Sequence, residues 1–221
     1  MKPLRRIQSF IRREGRLTSG QARALEMLGP QYLLNILPQT LLDFPKIFGN
    51  NYPVILEIGF GMGHSLLVQA KNHPENNYLG FEVHRPGVGA LLAGMEREAL
   101  TNIRVVADDI VLALDAIPEN SLQGVQIFFP DPWHKKRHHK RRLIQIDFLK
   151  RLARKVQPGG FLHCATDWQD YAEHMLHAIN ASEYFTQAKF IARPETRPMT
   201  KFEQRGIRLG HGVWDIYAQT T

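Results

Sequence analysis

Five apolar runs, at residues 53–58, 77–83, 103–107, 124–129 and 160–165, alternate with helical patterns at 63–72, 86–99, 109–116 and 141–156. That alternation constrains the fold more than any other feature. Runs of Val, Ile, Leu and Phe without polar alternation suit strands covered on both faces. Strands separated by helices are joined by crossovers, which build a parallel sheet with helices on either side. A further helix is predicted over 168–180, and strands over 185–191 and 213–219 close the chain as a hairpin-like pair. The expected fold is α/β: a doubly wound, mostly parallel, Rossmann-like sheet. Ligands of such sheets sit at the carboxyl ends of the strands, and every motif below falls at that end.

Composition narrows the setting. A chain of 221 residues buries enough surface to fold as one domain without staples. The spacing predicts a basic N-terminal extension over 1–25, mobile or ordered on RNA, and a single domain over 26–221. Thr18-Ser19-Gly20-Gln21 ahead of Ala22–Met27 reads as a capped short helix. Residues 30–50 are expected to pack across the core, and Pro158-Gly159-Gly160 to turn ahead of the fifth strand. The single cysteine, Cys164, cannot form an intramolecular disulfide, which points to a reducing, cytoplasmic compartment. No apolar run approaches the roughly 18 residues of a membrane span, and no signal-type apolar core follows the cationic start.

The net charge of +7 is unevenly placed. Residues 1–23 hold seven Lys/Arg and one acid, and residues 134–155 hold ten and one; the stretch between holds five bases and twelve acids. Two basic blocks flanking an acidic body imply a polyanion gripped at two places. Both blocks also carry Phe, Trp or His, which suits nucleic acid.

Glu57-Ile58-Gly59-Phe60-Gly61-Met62-Gly63-His64 follows the first strand and opens a helix. Gly59, Gly61 and Gly63 let backbone approach a ligand at a helix N-terminus. His64 stands where a dinucleotide fingerprint needs its third glycine. The acidic Glu57 would repel a pyrophosphate and suits a cationic ligand such as the ammonium or sulfonium of S-adenosylmethionine. Glu82, at the end of the second strand, can accept both hydroxyls of an adenosine ribose. Asp109, with Asp108 close behind, can accept from an adenine amino group after the third strand. For each acid alone the alternative is a helix cap or a solvated loop.

The fourth strand ends in Phe128-Phe129-Pro130-Asp131-Pro132-Trp133-His134-Lys135, with a basic run behind it. The two prolines end the strand and stiffen the turn. One segment thus supplies a carboxylate, stacking surfaces and cations, a combination suited to chemistry on a nucleic-acid base. Asp131 can stabilise charge that develops on a base, or take hydrogen bonds from guanine N1–H and N2–H₂; the alternative is a capping Asp. Trp133 and His134 can stack on an extruded base, and for Trp133 the alternative is burial under the turn. Lys135, Arg137 and Arg141 suit phosphate, as do Arg12, Arg13 and Arg16 in the N-terminal block. The histidines among these cations do not match metal-ligand spacing, so no metal is expected.

With these residues in hand, the chain resembles the bacterial tRNA (guanine-N7-)-methyltransferases over nearly its whole length. The matching segments are Leu56–Gly63, Glu82-Val83-His84, Phe128–Lys135, Ala165-Thr166-Asp167-Trp168, Thr200–Gly206 and Gly210–Asp215. The resemblance implies a seven-stranded class I methyltransferase fold and methylation of guanosine 46 in the tRNA variable loop. It assigns Glu57, Glu82, Asp109 and Asp131 to the cofactor, and Asp131 to the catalytic position. It assigns Lys135, Asp167, Thr200, Lys201, Phe202 and Glu203 to the substrate. On chemistry alone Asp167 could instead cap the helix near Trp168, Lys201 fits a phosphate and Glu203 a guanine edge. The implied cofactor is S-adenosyl-L-methionine and the implied partner is tRNA, with no membrane and no obligatory protein partner. Two other readings compete. Amino-group methyltransferases use Asp/Asn-Pro-Pro-aromatic at the same strand end, one proline more than here. A non-catalytic RNA-binding protein could share the fold, though it would not need the intact set of acids.

Overall fold

The computed structural model of this protein describes residues 8–10, 15–37, 39–200, 203–204, 208, 210 and 212–221. Its strands are β1 (Val54–Ile58), β2 (Asn77–Phe81), β3 (Ile103–Val106), β4 (Leu122–Phe128), β5 (Val156–Thr166), β6 (Lys189–Ile191) and β7 (Trp214–Gln219). They form one sheet in the order β3-β2-β1-β4-β5-β7-β6. The first five are parallel, and β7 runs antiparallel between β5 and β6. The strand order reverses between β1 and β4, which makes their carboxyl ends the switch point of the sheet. The register levels the tips: Ile58 pairs with Phe81, Phe81 with Val106, and Ile58 with Ile127. The residues just beyond these four tips are therefore neighbours in space.

The helices are α1 (Ser19–Tyr32), α2 (Phe44–Phe48), α3 (His64–Asn72), α4 (Arg85–Glu98), α5 (Ile110–Ala113), α6 (Ile146–Ala153) and α7 (Gln169–Ala181). They cover both faces, as the continuous apolar strands require. One face buries Ala24 and Tyr32 of α1, Leu66 and Ala70 of α3, and Val88, Leu91, Leu92 and Met95 of α4. The other buries Phe44 of α2, Ile110 of α5, Phe148 and Leu152 of α6, and Tyr171 and Met175 of α7. No helix among the described residues is long and apolar enough to cross a membrane.

Three local expectations need correction. The boundary expected at residue 25 falls inside α1. This helix starts at a capping box, in which Thr18 Oγ1 accepts from the Gln21 amide and Gln21 Oε1 accepts from the Thr18 amide. It then packs on α4, where a side chain at Gly89 would stand 2.9 Å from Gln21. The helix expected over 141–156 is shortened to α6, with a 3₁₀ turn at Lys136–Arg141 ahead of it and β5 starting at Val156. The break is held by side chains: Gln145 Nε2 donates to the His139 carbonyl and the Ile144 amide donates to Tyr171 Oη. Pro158-Gly159-Gly160 is not a turn before β5 but a bulge within it, where pairing with β4 jumps from Leu122↔Val156 to Gly124↔Phe161.

Substituting Gly89→Ala drives a methyl into the Gln21 backbone. A loss of about 1–3 kcal/mol is expected, read as a lower urea midpoint with an unchanged slope. An unchanged midpoint would show that α1 is not seated on α4 as described.

Candidate active site at the strand tips

Beyond β1 the chain makes three left-handed residues in alternation: Gly59 (φ 75°), Gly61 (φ 58°) and Gly63 (φ 80°). The conformation favours glycine, and the surroundings add a second demand. A Cβ on Gly63 would meet Leu91 Cδ1 at 2.7 Å, while one on Gly59 or Gly61 would meet nothing within 4 Å. The first two glycines thus present bare backbone to open space, and the third seats the loop on α4. Glu82, just past β2, holds this loop. Its Oε2 accepts from the Gly61 amide at 2.8 Å, and its Oε1 accepts from the amides of Val83 and His84 at 2.7 and 2.8 Å.

A cavity of about 350 Å³ opens over these tips, with Gly59, Gly61, Glu82, Asp108, Asp109 and Asp131 in its wall. Sequence reasoning named all six. It missed Ser9, Phe10, Met62 and Phe129, which also line it; Met62, more than half exposed within the glycine loop, was the legible one. Two expected residues stand outside the wall. Gly63 is packed against α4, and Glu57 lies one layer down, buried beside Gln126 in the sheet. Glu82 has also lost capacity: with three amide donors on it, about one of its four lone-pair positions stays open. It can take one ribose hydroxyl rather than two. Asp109 Oδ1 caps α5 through the Val111 amide at 3.0 Å, and Asp108 Oδ1 accepts from the Asp109 amide at 2.7 Å. Each keeps a second oxygen for a ligand.

Asp131 is exposed on the cavity rim, in a turn bounded by two left-handed aromatic residues, Phe129 (φ 52°) and Trp133 (φ 49°). Bulky side chains rarely adopt this conformation, at a cost of order 1–3 kcal/mol each. Trp133 does not offer its ring to a base. It is buried, its Nε1 donates to the Ser9 carbonyl at 2.9 Å, and the Arg141 guanidinium lies 3.8 Å from its ring centroid. Arg141 is committed a second time, through Nε to the Gln8 carbonyl at 3.0 Å. His134, Lys135 and Arg137 are exposed as expected, and so is Arg16.

A second, more open hollow of about 660 Å³ lies past β5, lined by Asp167, Trp168, Asp170, Glu173 and Trp214 among others. Asp167 does not cap α7, whose N-cap is Trp168 without a side-chain bond. The His134 ring packs edge-on to Trp168 at 4.1 Å and joins this hollow to the Asp131 turn. Glu203 is corrected: it is buried, and both of its oxygens accept from Arg197, so it anchors its loop and presents no free edge to a base. Thr200 Oγ1 accepts from the Glu203 amide. Arg12, Arg13, Lys201 and Phe202 lie outside the described residues.

A family described as "Putative methyltransferase" matches residues 51–216. A tRNA (guanine-N(7)-)-methyltransferase of Vibrio cholerae serotype O1 (strain M66-2) is 54% identical over 226 residues, covering 100% of this chain and 94% of that protein. This chain belongs to the tRNA (guanine-N(7)-)-methyltransferase family. The member from Escherichia coli O6:K15:H31 (strain 536 / UPEC) is likewise 54% identical, over 97% of this chain and 92% of its own length. Among solved structures, the 16S rRNA methyltransferase KamB superposes with a TM-score of 0.61 at 14% identity, covering 83% of this chain and 95% of its own. A 16S rRNA (adenine(1408)-N(1))-methyltransferase bound to its cosubstrate superposes at 0.57 and 17% identity, over 82% and 93%. These two show the class I fold.

The second of these structures holds S-adenosyl-L-methionine as cosubstrate, and the lining of the cavity here would suit a ligand of that chemistry. Bare glycine backbone, apolar Met62 and Phe129, and carboxylates at three tips suit a nucleoside with a cationic tail. Beneath the loop, Glu57 Oε2 is buried without a hydrogen-bond partner among the described residues. Burial pushes the Glu57 carboxyl up to about 8, and the nearby Glu82 charge pushes the same way. The expectation of a resident anion under the loop is therefore revised: without a cation beside it, Glu57 holds a proton at neutral pH. In the unfolded chain it titrates near 4.5. The folded state thus binds one more proton than the unfolded state between those values, and stability falls as pH rises through that window. Glu57→Gln removes this contribution. The difference between variant and wild-type urea midpoints should grow in the variant's favour from pH 5 to pH 8; parallel profiles would show that Glu57 is ionised in the free protein.

Proposed function

We propose that this protein transfers a methyl group from S-adenosyl-L-methionine to N7 of guanine in tRNA, at guanosine 46 of the variable loop, in the cytoplasm. The observation that carries the reading is the Asp131 turn: a carboxylate on the cofactor-cavity rim, with exposed cations on the same segment and 54% identity to tRNA (guanine-N(7)-)-methyltransferases along the whole chain.

The bound cofactor supplies an electrophilic methyl on a sulfonium. Guanine N7 carries an in-plane lone pair outside the aromatic sextet, so a C–N bond forms as the C–S bond breaks and no proton must leave N7. Strong base catalysis is unnecessary, and positioning dominates. The base becomes cationic as the bond forms, and Asp131 faces that charge with its own. The same carboxylate can take guanine N1–H and N2–H₂, which adenine lacks. Glu82 and the Asp108–Asp109 pair hold the nucleoside part of the donor, while Lys135, Arg137 and Arg16 face the phosphates. His134, exposed beside Trp168, is the stacking surface for the base, and Asp167 lines the adjoining hollow from which the RNA approaches.

Asp131→Asn keeps the shape and removes the charge. Single-turnover methylation of unmodified tRNA at saturating cofactor should fall about 100-fold or more. A wild-type rate would remove Asp131 from the chemistry. Nucleoside analysis of the product should give N7-methylguanosine; N6-methyladenosine would replace this reading with the amino-group one. tRNA affinity should fall steeply with salt, as for any complex with several phosphate contacts.

A further inference from the structure

Phe129 and Trp133 flank Pro130-Asp131-Pro132 in a conformation that bulky residues keep only where their surroundings over-determine it. Two buried guanidiniums supply that determination. Arg142 belongs by sequence to the basic run, yet it is only 2% exposed. Its Nε donates to the Pro132 carbonyl at 3.0 Å, its terminal nitrogen pairs with Asp170, and its plane lies 4.8 Å from the Tyr171 ring. Arg197 is 1% exposed. It donates to Asp215 of β7 at 2.6 and 2.8 Å and to Glu203 at 2.7 and 3.1 Å. Its guanidinium lies 5.8 and 5.7 Å from the ring centroids of Phe128 and Phe129. His163, whose Nε2 is 2.7 Å from Asp215 Oδ1, packs edge-on to Phe128 at 5.0 Å.

Buried ion pairs often add little to stability compared with apolar residues of the same volume. What these two add is direction. Each is held by carboxylate or carbonyl acceptors, and each touches the strained turn with a different part of its fork or plane. Lysine has neither fork nor plane.

We propose that Arg142 and Arg197 are positioning residues for Asp131: Arg142 holds the far side of the turn through the Pro132 carbonyl, and Arg197 holds its near side from beneath the Phe128–Phe129 pair. The proposal rests on the role given to Asp131 above. It also takes Arg142 out of the RNA-binding surface to which its neighbours belong.

The test compares Arg142→Lys, Arg197→Lys, Asp131→Asn and the two double variants. Single-turnover methylation of unmodified tRNA is measured at saturating cofactor and tRNA, and cofactor affinity by calorimetry. Each folded Lys variant should bind cofactor within about threefold of wild type and methylate about 10- to 100-fold more slowly, the scale of a reacting group displaced by about 1 Å. In the Asp131→Asn background the same change should cost no more than about threefold further, because the displaced turn no longer carries the charge. Losses that multiply in the double variants, or a wild-type rate in a folded Lys variant, overturn the proposal. An Asp131→Asn variant as fast as wild type removes the underlying role of Asp131 instead, so the two failures are told apart. Should Arg197→Lys not fold, Arg142→Lys carries the comparison, since its partner Asp170 is exposed and can relax. For the charge-removing Arg142→Gln the salt slope of tRNA binding should match wild type; a slope lower by about one would make Arg142 a phosphate contact.

Discussion

The site depends on one carboxylate that binds no substrate through most of its capacity. Glu82 gathers three backbone N–H groups, one from the glycine loop after β1 and two from its own turn after β2. Amides at strand tips have no ladder partner, and buried without one they would cost about as much as a lost hydrogen bond. Glu82 satisfies them and in doing so fixes the distance between two neighbouring tips. Gly59 and Gly61 then expose their backbone to the cavity instead of collapsing onto it.

The same tips show how differently a carboxyl group behaves over a short span. Glu57, enclosed by the sheet with one oxygen unpartnered among the described residues, is held neutral by burial. Asp215, also buried, is held below the ordinary carboxylate range: burial pushes it up, and the hydrogen bonds from His163 and Arg197 outweigh that push. Asp131 stands in solvent on the rim. One group stores a proton under the loop, one is locked into an ion-pair network, and one is free to meet a charge that forms during reaction. Residue type is common to the three; the partners differ.

The placement of the two guanidiniums extends that point to cations. Arg142 follows Arg141 in the chain, yet Arg141 lies over Trp133 near the surface while Arg142 turns inward to Pro132 and Asp170. A run of like charges reads as one solvated face. Nothing in its spacing marks the member whose side chain is captured by a carbonyl and a carboxylate from elsewhere. Glu203 misleads in the same way: it reads as a loop acid and is a buried partner of Arg197.

The order of strands and helices, the glycine loop and the acids at the tips were legible because each follows from local pattern. Apolar runs of strand length must be covered on both faces, crossovers must be helical, and a ligand must then lie at the carboxyl ends. The apolar signals of β1 to β5, and the set Glu82, Asp109 and Asp131, needed only that logic. Tertiary structure alone decided which polar groups remained available. It turned Trp133 inward, left Glu82 about one lone pair, neutralised Glu57 and buried Arg142. The physical reason is common to all four: the fate of a hydrogen-bonding or ionisable group is set by the partners and solvent around it, and in each case the fold brings at least part of that surrounding from another element of the chain.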